Sequence, residues 1–358
     1  MLGTLLLTLA AGGTGGEPTA ALVLLPDAVV ALDGTLQRGV AVTIEDGRIT
    51  AVGPAPAEGA VRVHGVLAPG MVDAYSAWGA DGFVFEESRQ LTPGLRAADG
   101  VDPESEAFAG LLARGVTAVH LVPEPSNVLA GRGVLLATGG ALQMLAAQTA
   151  QTGSLRASAI YDQRVGPTSL AGGLELLEAA LAESAQDVAG DGLWLAVQES
   201  EGVRGARALC ERAGLAMPLL VCHGDLGGYG GDLAGALVVV PADPQPSARA
   251  AEVWKRLAAS GTRFAVGSRG GNPELNGLRT AAMALSRATG DAGAAWAAVT
   301  AHPAEALGMA GEMGVIAPGA RADLVLWSAH PLDAAARVEA VMIGGETVWR
   351  PSAAEEAR

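Results

Sequence analysis

The chain has 358 residues, half of them hydrophobic, with a mean hydropathy of +0.32, so one large domain and a small second one can both bury a core. Lys and Arg number 23 against 38 Asp and Glu, a net charge of −15 and a pI near 4.7; with no basic run, nucleic acid is excluded as a partner and the acidity reads as a solvated surface. The 50 glycines are spread without a period, which excludes collagen and low-complexity disorder.

Residues 1–19 carry a short apolar run, Leu5 to Ala11, followed by small residues. They resemble a signal peptide without its positive n-region, or else an unstructured tail. The first reading predicts a secreted or periplasmic protein, the second a cytoplasmic one. No run reaches the roughly 20 apolar residues needed to span a bilayer. From Ala21 to Val66 short β-branched runs are separated by Asp33-Gly34 and Asp46-Gly47, pairs suited to tight hairpins.

The middle, from about Leu67 to Leu307, alternates apolar runs with helical segments. Strands are expected at Leu67–Asp73, Val116–Val122, Val134–Thr138, Arg156–Ile160, Leu193–Gln198, Leu219–His223, Ala236–Val240 and Phe264–Gly267. Helices are expected at Pro103–Arg114, Leu170–Asp187, Val203–Ala213, Ser247–Ser260, Leu275–Thr289 and Gly293–Thr300. Strands mostly followed by helices over about 240 residues predict an α/β fold, a (β/α)8 TIM barrel. The competing doubly wound sheet lacks a G-x-G-x-x-G loop after a strand. Cys210 and Cys222 match no zinc spacing and read as two buried free thiols. From Ala322 to Trp349 the β pattern returns, with Gly344-Gly345 at a turn. Residues 20–66 plus 312–350 therefore predict a small β-sandwich domain formed by both termini, around a barrel at 67–311.

VLAPGMVDAYSAWG, Val66 to Gly79, closes the first barrel strand. It resembles the entry motif of the amidohydrolase superfamily, where an apolar strand, Pro-Gly and an Asp lead into His-x-His. Side chains at i and i+2 of a strand share a face, so both imidazoles there reach one metal at the barrel mouth. Thr92 to Gly140, with a Gly-Val-Thr strand and a Gly-rich stretch, resembles the imidazolonepropionase-like branch. Thr300 to Asp333 resembles the family's closing segment, from an Asn-Pro-Ala helix through Gly-x-Ile-x-Pro-Gly to Ala-Asp-Leu-Val. The resemblance implies a zinc- or other divalent-metal-dependent hydrolase of non-peptide carbon–nitrogen bonds, such as cyclic amides, in which a metal-bound hydroxide attacks the carbonyl.

The metal positions depart from that pattern. The two His of His-x-His fall on Tyr75 and Ala77, and the strand-five ligand near Gln198. The strand-six His is kept as His223, and the strand-eight Asp falls on Arg269. A Lys common in the branch is Ala137. Ala77 has no donor atom, Gln198 is a weak ligand, Tyr75 would have to lose a proton, and Arg269 would repel a cation. Zinc needs three or four protein ligands. Of the other histidines, His64, His302 and His330 lie in segments the mouth does not use, and His120 reads as a buried strand residue.

The expectation is thus a degenerate, metal-free copy with no cofactor, acting as a ligand-binding or partner subunit, a pseudoenzyme. His223 is either a relic or catalytic acid/base group or a histidine satisfied near a strand end. Arg269 either binds a small anionic ligand or pairs with Asp73 or Glu199. Asp73 reads as support for the strand end, and Ser126-Asn127 as a pocket edge or an ordinary turn. The alternative is an active hydrolase rearranged around His223 and nearby carboxylates such as Glu199 and Asp225. A homo-oligomer, or a complex with an active relative, fits the same residues.

Overall fold

The structure is a computed structural model that describes residues 21–56, 58–80, 86, 88–139, 142–160, 166–183, 192–224, 226–229, 231–243, 245–269 and 277–352. The expectations for residues 1–19, for Asp225 and for the ends of two helices, 184–187 and 275–276, lie outside the described residues.

The two ends of the chain interleave in one eight-stranded sheet. Its order is Glu346–Trp349, Val338–Ile343, Leu324–Trp327, Val61–Pro69, Leu22–Val30, Val40–Glu45, Arg48–Pro54, with Leu36–Gln37 paired on Leu22–Val30. The hairpins close where the turn pairs predicted. Asp46 and Gly47 have φ of 48° and 76°, and Gly344 and Gly345 have 57° and 81°. Positive φ at both central residues matches the twist of paired strands, and glycine adopts it without a Cβ clash. Val42, Ile44, Ile49, Leu67 and Leu324 form the apolar core of this region.

The middle is a mixed α/β layer. Gln151–Ser154, Leu193–Val197, Leu219–Cys222, Leu237–Pro241 and Arg263–Gly267 pair in parallel in that order, within a six-stranded sheet that ends on antiparallel Leu129–Arg132. Met71–Ser76 and Val116–Leu121 pair in parallel in a separate four-stranded sheet with Val134–Ala137 and Gln143–Ala146. Among the described residues the strand hydrogen bonds of the middle thus fall in two sheets rather than one closed ring. Helices Leu170–Glu183, Ser200–Ala213, Ala248–Ala259 and Gly277–Thr289 carry the apolar residues that cover the parallel strands. Helix ends follow local chemistry: Ser247 Oγ accepts from Ala250 N at 3.1 Å, and Gly214 ends Ser200–Ala213 in the left-handed region.

One expected strand is overturned. Arg156–Ile160 holds the short helix Ala157–Ile160, and the strand lies earlier, at Gln151–Ser154. Its polar, small residues give no apolar run; they are buried because strands flank them on both sides. Val134–Ala137 forms as expected but runs antiparallel to Val116–Leu121.

The first and last parallel strands meet through their ends. Asp73 accepts from Ser268 N at 2.8 Å, from Ser268 Oγ and from Tyr75 N at 3.2 Å, and Arg269 N donates to Tyr75 O at 2.8 Å. Asp73 is fully buried, and burial raises its carboxyl pKa to about 6 against these hydrogen bonds. It supports the strand end, as expected.

Candidate functional site

Five of the positions singled out from the sequence lie at the C-terminal ends of parallel strands. Tyr75 is in the last turn of pleat of Met71–Ser76, and Ala77 lies just past it. Gln198 follows Leu193–Val197, His223 follows Leu219–Cys222, and Arg269 lies two residues past Arg263–Gly267. Such strand ends are where α/β folds gather their chemistry.

Not all of them converge. Tyr75 and His223 are 4% and 2% exposed, with ring centroids 6.0 Å apart in an edge-to-face arrangement. Arg269 acts on both rings through its charge from the exposed rim. Gln198 is exposed, its stem beside Gly224, and half-buried Ala77 brings no polar atom. Ala137 is buried in its strand beside Ala118 and Gln143.

The backbone of His223 is fixed while its ring is not. His223 N donates to Val197 O at 2.8 Å, and the Tyr229 hydroxyl donates to the Val197 and His223 carbonyls at 2.8 and 2.9 Å. Yet among the described residues neither buried ring nitrogen has a partner, nor has the buried Tyr75 hydroxyl. The satisfied-histidine reading of His223 thus finds no ring partner among the described residues. Burial, with the charges of Arg156 and Arg269, pushes its pKa down to about 3, so the ring is neutral near pH 7. Burial, with Glu124, pushes the Tyr75 phenol well above its ordinary value, and Arg269 and Arg156 oppose that shift. Burial also lifts the Cys222 thiol to about 12, and both cysteines are free and buried, which leaves Cys222 an inert core group.

Arg269 has φ of 56°, a left-handed conformation costly for a residue with a Cβ. The hydrogen bond that its N–H donates to Tyr75 O holds it there. Among the described residues it forms no ion pair with Asp73 or Glu199; the Asp73 oxygens are taken by Ser268 and Tyr75. Glu199 is exposed at a helix start.

Three residues that the sequence reading passed over belong to this place. Arg156 follows the Gln151–Ser154 strand, half-buried, with its Nε buried and unpartnered. Burial and the like charge of Arg269 lower its pKa. Glu124, on the loop after Val116–Leu121, acts on Tyr75 and Arg156 by charge. Tyr229 fixes the His223 backbone. The available signal for Arg156 was a cation directly after a small-residue segment between apolar runs, which reads equally well as a helix start.

The remaining candidates are structural. His120 is fully buried between Ala74 O (2.9 Å) and Thr149 Oγ1 (2.8 Å), as expected. Asn127 ties its loop to Arg89 O and Thr92 Oγ1. His64 is paired with Asp27, and His302 and His330 bond backbone carbonyls. A cleft of about 430 Å³ lies beside the Tyr75–His223 pair and shares Arg269 with it, between Cys222, Leu226, Val240 and Trp254. Another, of about 350 Å³, lies at the opposite strand ends between Arg114, Arg279, Trp327 and Trp349. Neither opens on the orphaned atoms.

Residues 241–348 match the model of the Amidohydrolase family. No curated protein matches. The crystal structure of an amidohydrolase from Thermotoga maritima MSB8 superposes with a TM-score of 0.79 at 21% identity, over 92% of this chain and 100% of that one. A prolidase complexed with N-methylphosphonate-L-proline gives 0.55 at 18%, over 93% and 100%. Enamidase, described as a member of the amidohydrolase superfamily, gives 0.50 at 14%, over 93% and 97%. The resemblance to the amidohydrolase superfamily holds at the level of fold and of the C-terminal third.

The divalent metal implied by that resemblance does not fit these residues. Tyr75 holds its proton in a buried site, Ala77 offers no donor, and Gln198 turns outward. Two guanidiniums act on the one good ligand, His223. Among the described residues no three His, Cys, Asp or Glu side chains group as a metal site. Among the described residues, too, no helix is long and apolar enough to cross a membrane.

Proposed function

We propose that this chain, whose fold and C-terminal third are those of amidohydrolases, is a metal-free copy that binds a small anionic ligand instead of hydrolysing an amide. We read the two middle ladders as parts of one (β/α)8 barrel over 67–311. Residues 20–66 plus 312–350 form a composite domain beside it. The reading rests on one observation above all: Arg156 and Arg269 follow parallel strands at the same ends as His223 and Tyr75, where the family would hold a dication. A divalent ion there meets repulsion from both, whereas an anion is attracted. The rearranged hydrolase would need a general base beside His223, and Glu199 is exposed at a helix start. By ancestry the scaffold is one for non-peptide carbon–nitrogen hydrolysis, of the imidazolonepropionase-like kind; the present mouth suits a ligand-binding or partner-subunit role.

Metal analysis of protein purified without a metal-binding tag tests this. Well under one equivalent of zinc, unchanged in His223→Ala, is expected. Near-stoichiometric zinc that disappears in His223→Ala would overturn the metal-free reading.

A further inference from the structure

Tyr75, His223 and Arg156 present buried polar atoms that no described residue satisfies: one hydroxyl, two ring nitrogens and one guanidinium Nε. Buried hydrogen-bonding capacity is rarely left unspent, so such a cluster calls for a partner. The donor inventory says which kind. The phenol keeps its O–H, a neutral imidazole offers one N–H and one acceptor nitrogen, and a guanidinium only donates, so donors outnumber acceptors three to one. The missing partner must therefore be rich in acceptors.

Charge narrows it further. Arg156 and Arg269 bring two guanidiniums to this place, and neither forms an ion pair with Glu124 among the described residues. Guanidinium geometry suits a planar carboxylate.

We propose that the mouth holds the carboxylate of a small ligand, its oxygens accepting from the Tyr75 hydroxyl, a His223 ring N–H and Arg156 Nε, with Arg269 contributing charge from the rim. This rests on the metal-free reading, because a divalent ion at the same place would take up His223. The ligand group would occupy the family's metal position rather than a site beside a metal. The strained backbone of Arg269 and the fixed backbone of His223 serve the same end, holding donors in place before the ligand arrives.

The test uses acetate as probe, with inorganic phosphate and chloride at matched ionic strength, read by thermal shift and by the His223 ring 15N resonances. Acetate is expected to raise the melting temperature saturably and to move the His223 signals. Arg156→Gln is expected to weaken acetate at least tenfold, Arg156→Lys to fall between, and Tyr75→Phe, which removes a single oxygen, to weaken it while keeping the fold. The proposal is overturned if chloride reproduces the acetate response or if Arg156→Gln and Tyr75→Phe bind as the wild type. Tighter saturation by phosphate would overturn the choice of a carboxylate. Zinc is measured in the same samples: zinc-loaded protein defeats the metal-free reading, whereas metal-free protein indifferent to acetate defeats this proposal alone.

Discussion

His120 and His223 are both buried, but among the described residues only His120 finds partners for its nitrogens. Burial lowers their pKa values to about 4 and about 3, from a usual 6.5. Between 6.5 and those values the unfolded chain binds protons that the native chain refuses. Each histidine therefore contributes stability that is complete above pH 6.5 and is lost as pH falls through the folded value. Asp73 acts in the opposite sense. Its carboxyl is raised to about 6 from 3.8, so its contribution is complete below 3.8 and is lost as pH rises through 6. Near pH 5 two histidine slopes oppose one carboxyl slope, each on the order of 1.4 kcal/mol per pH unit at most. His223→Leu should flatten the slope of urea-derived stability between pH 4 and 6 by about that amount, in a carboxylate-free buffer. Parallel curves for the two proteins would mean that His223 titrates normally. That His223, Tyr75 and Arg269 fall at strand ends could be read from a motif register. That the His223 ring lacks a partner could not, because it depends on what Tyr229, Arg156 and Tyr75 do around it.

The seam between Met71–Ser76 and Arg263–Gly267 depends on the absence of a side chain. A Cβ on Gly267 would lie 2.7 Å from Tyr75 N and 2.8 Å from Tyr75 O, and closer still to Tyr75 Cβ. Backbone cannot swing aside as a flexible side chain can, so the strands would have to separate. Separation also pulls Ser268 from Asp73 and Arg269 N from Tyr75 O. Gly267→Ala is expected to destabilise by more than the ~1–3 kcal/mol of ordinary overpacking, measured by urea unfolding. It should also displace Tyr75 and weaken acetate binding; a loss under 0.5 kcal/mol would show that the seam has slack. Most elements were legible because apolar runs and turn pairs act locally. Val116–Leu121, Leu193–Val197 and Leu219–Cys222 lie within a residue of expectation. Gln151–Ser154 was not legible: Gln, Thr, Gly and Ser carry no strand pattern, and only flanking strands make them one.

At the scale of the molecule, the terminal sheet and the α/β middle are fastened by backbone and by one large side chain. Gly70 N donates to Asp323 O, Ile49 N to Ala320 O and Ala322 N to Gly47 O, so the end of the chain locks its beginning. Trp327, 1% exposed, leaves the sheet to pack on the middle. Its ring meets Trp296 edge to face at 6.5 Å, and the Arg279 guanidinium lies 5.1 Å over it. Gly115 leaves the room: a Cβ there would lie 2.8 Å from Trp327 Cζ2. Arg279 is held in turn by Pro331 O at 2.6 Å and by Asp333 O. Two regions joined this way should unfold together, with coincident transitions by far-UV circular dichroism and tryptophan fluorescence. Trp327→Ala removes the aromatic anchor and should cost about 3–5 kcal/mol, more than one solvated ion pair such as Arg204–Glu201 could. If the wild type instead shows two separated transitions, with only the fluorescence one moved by Trp327→Ala, the sheet folds independently and the strand ends do not need it. A single transition makes the sheet part of what holds Met71–Ser76 in place, because Gly70, whose amide is bonded to Asp323, leads directly into the strand that carries Asp73 and Tyr75.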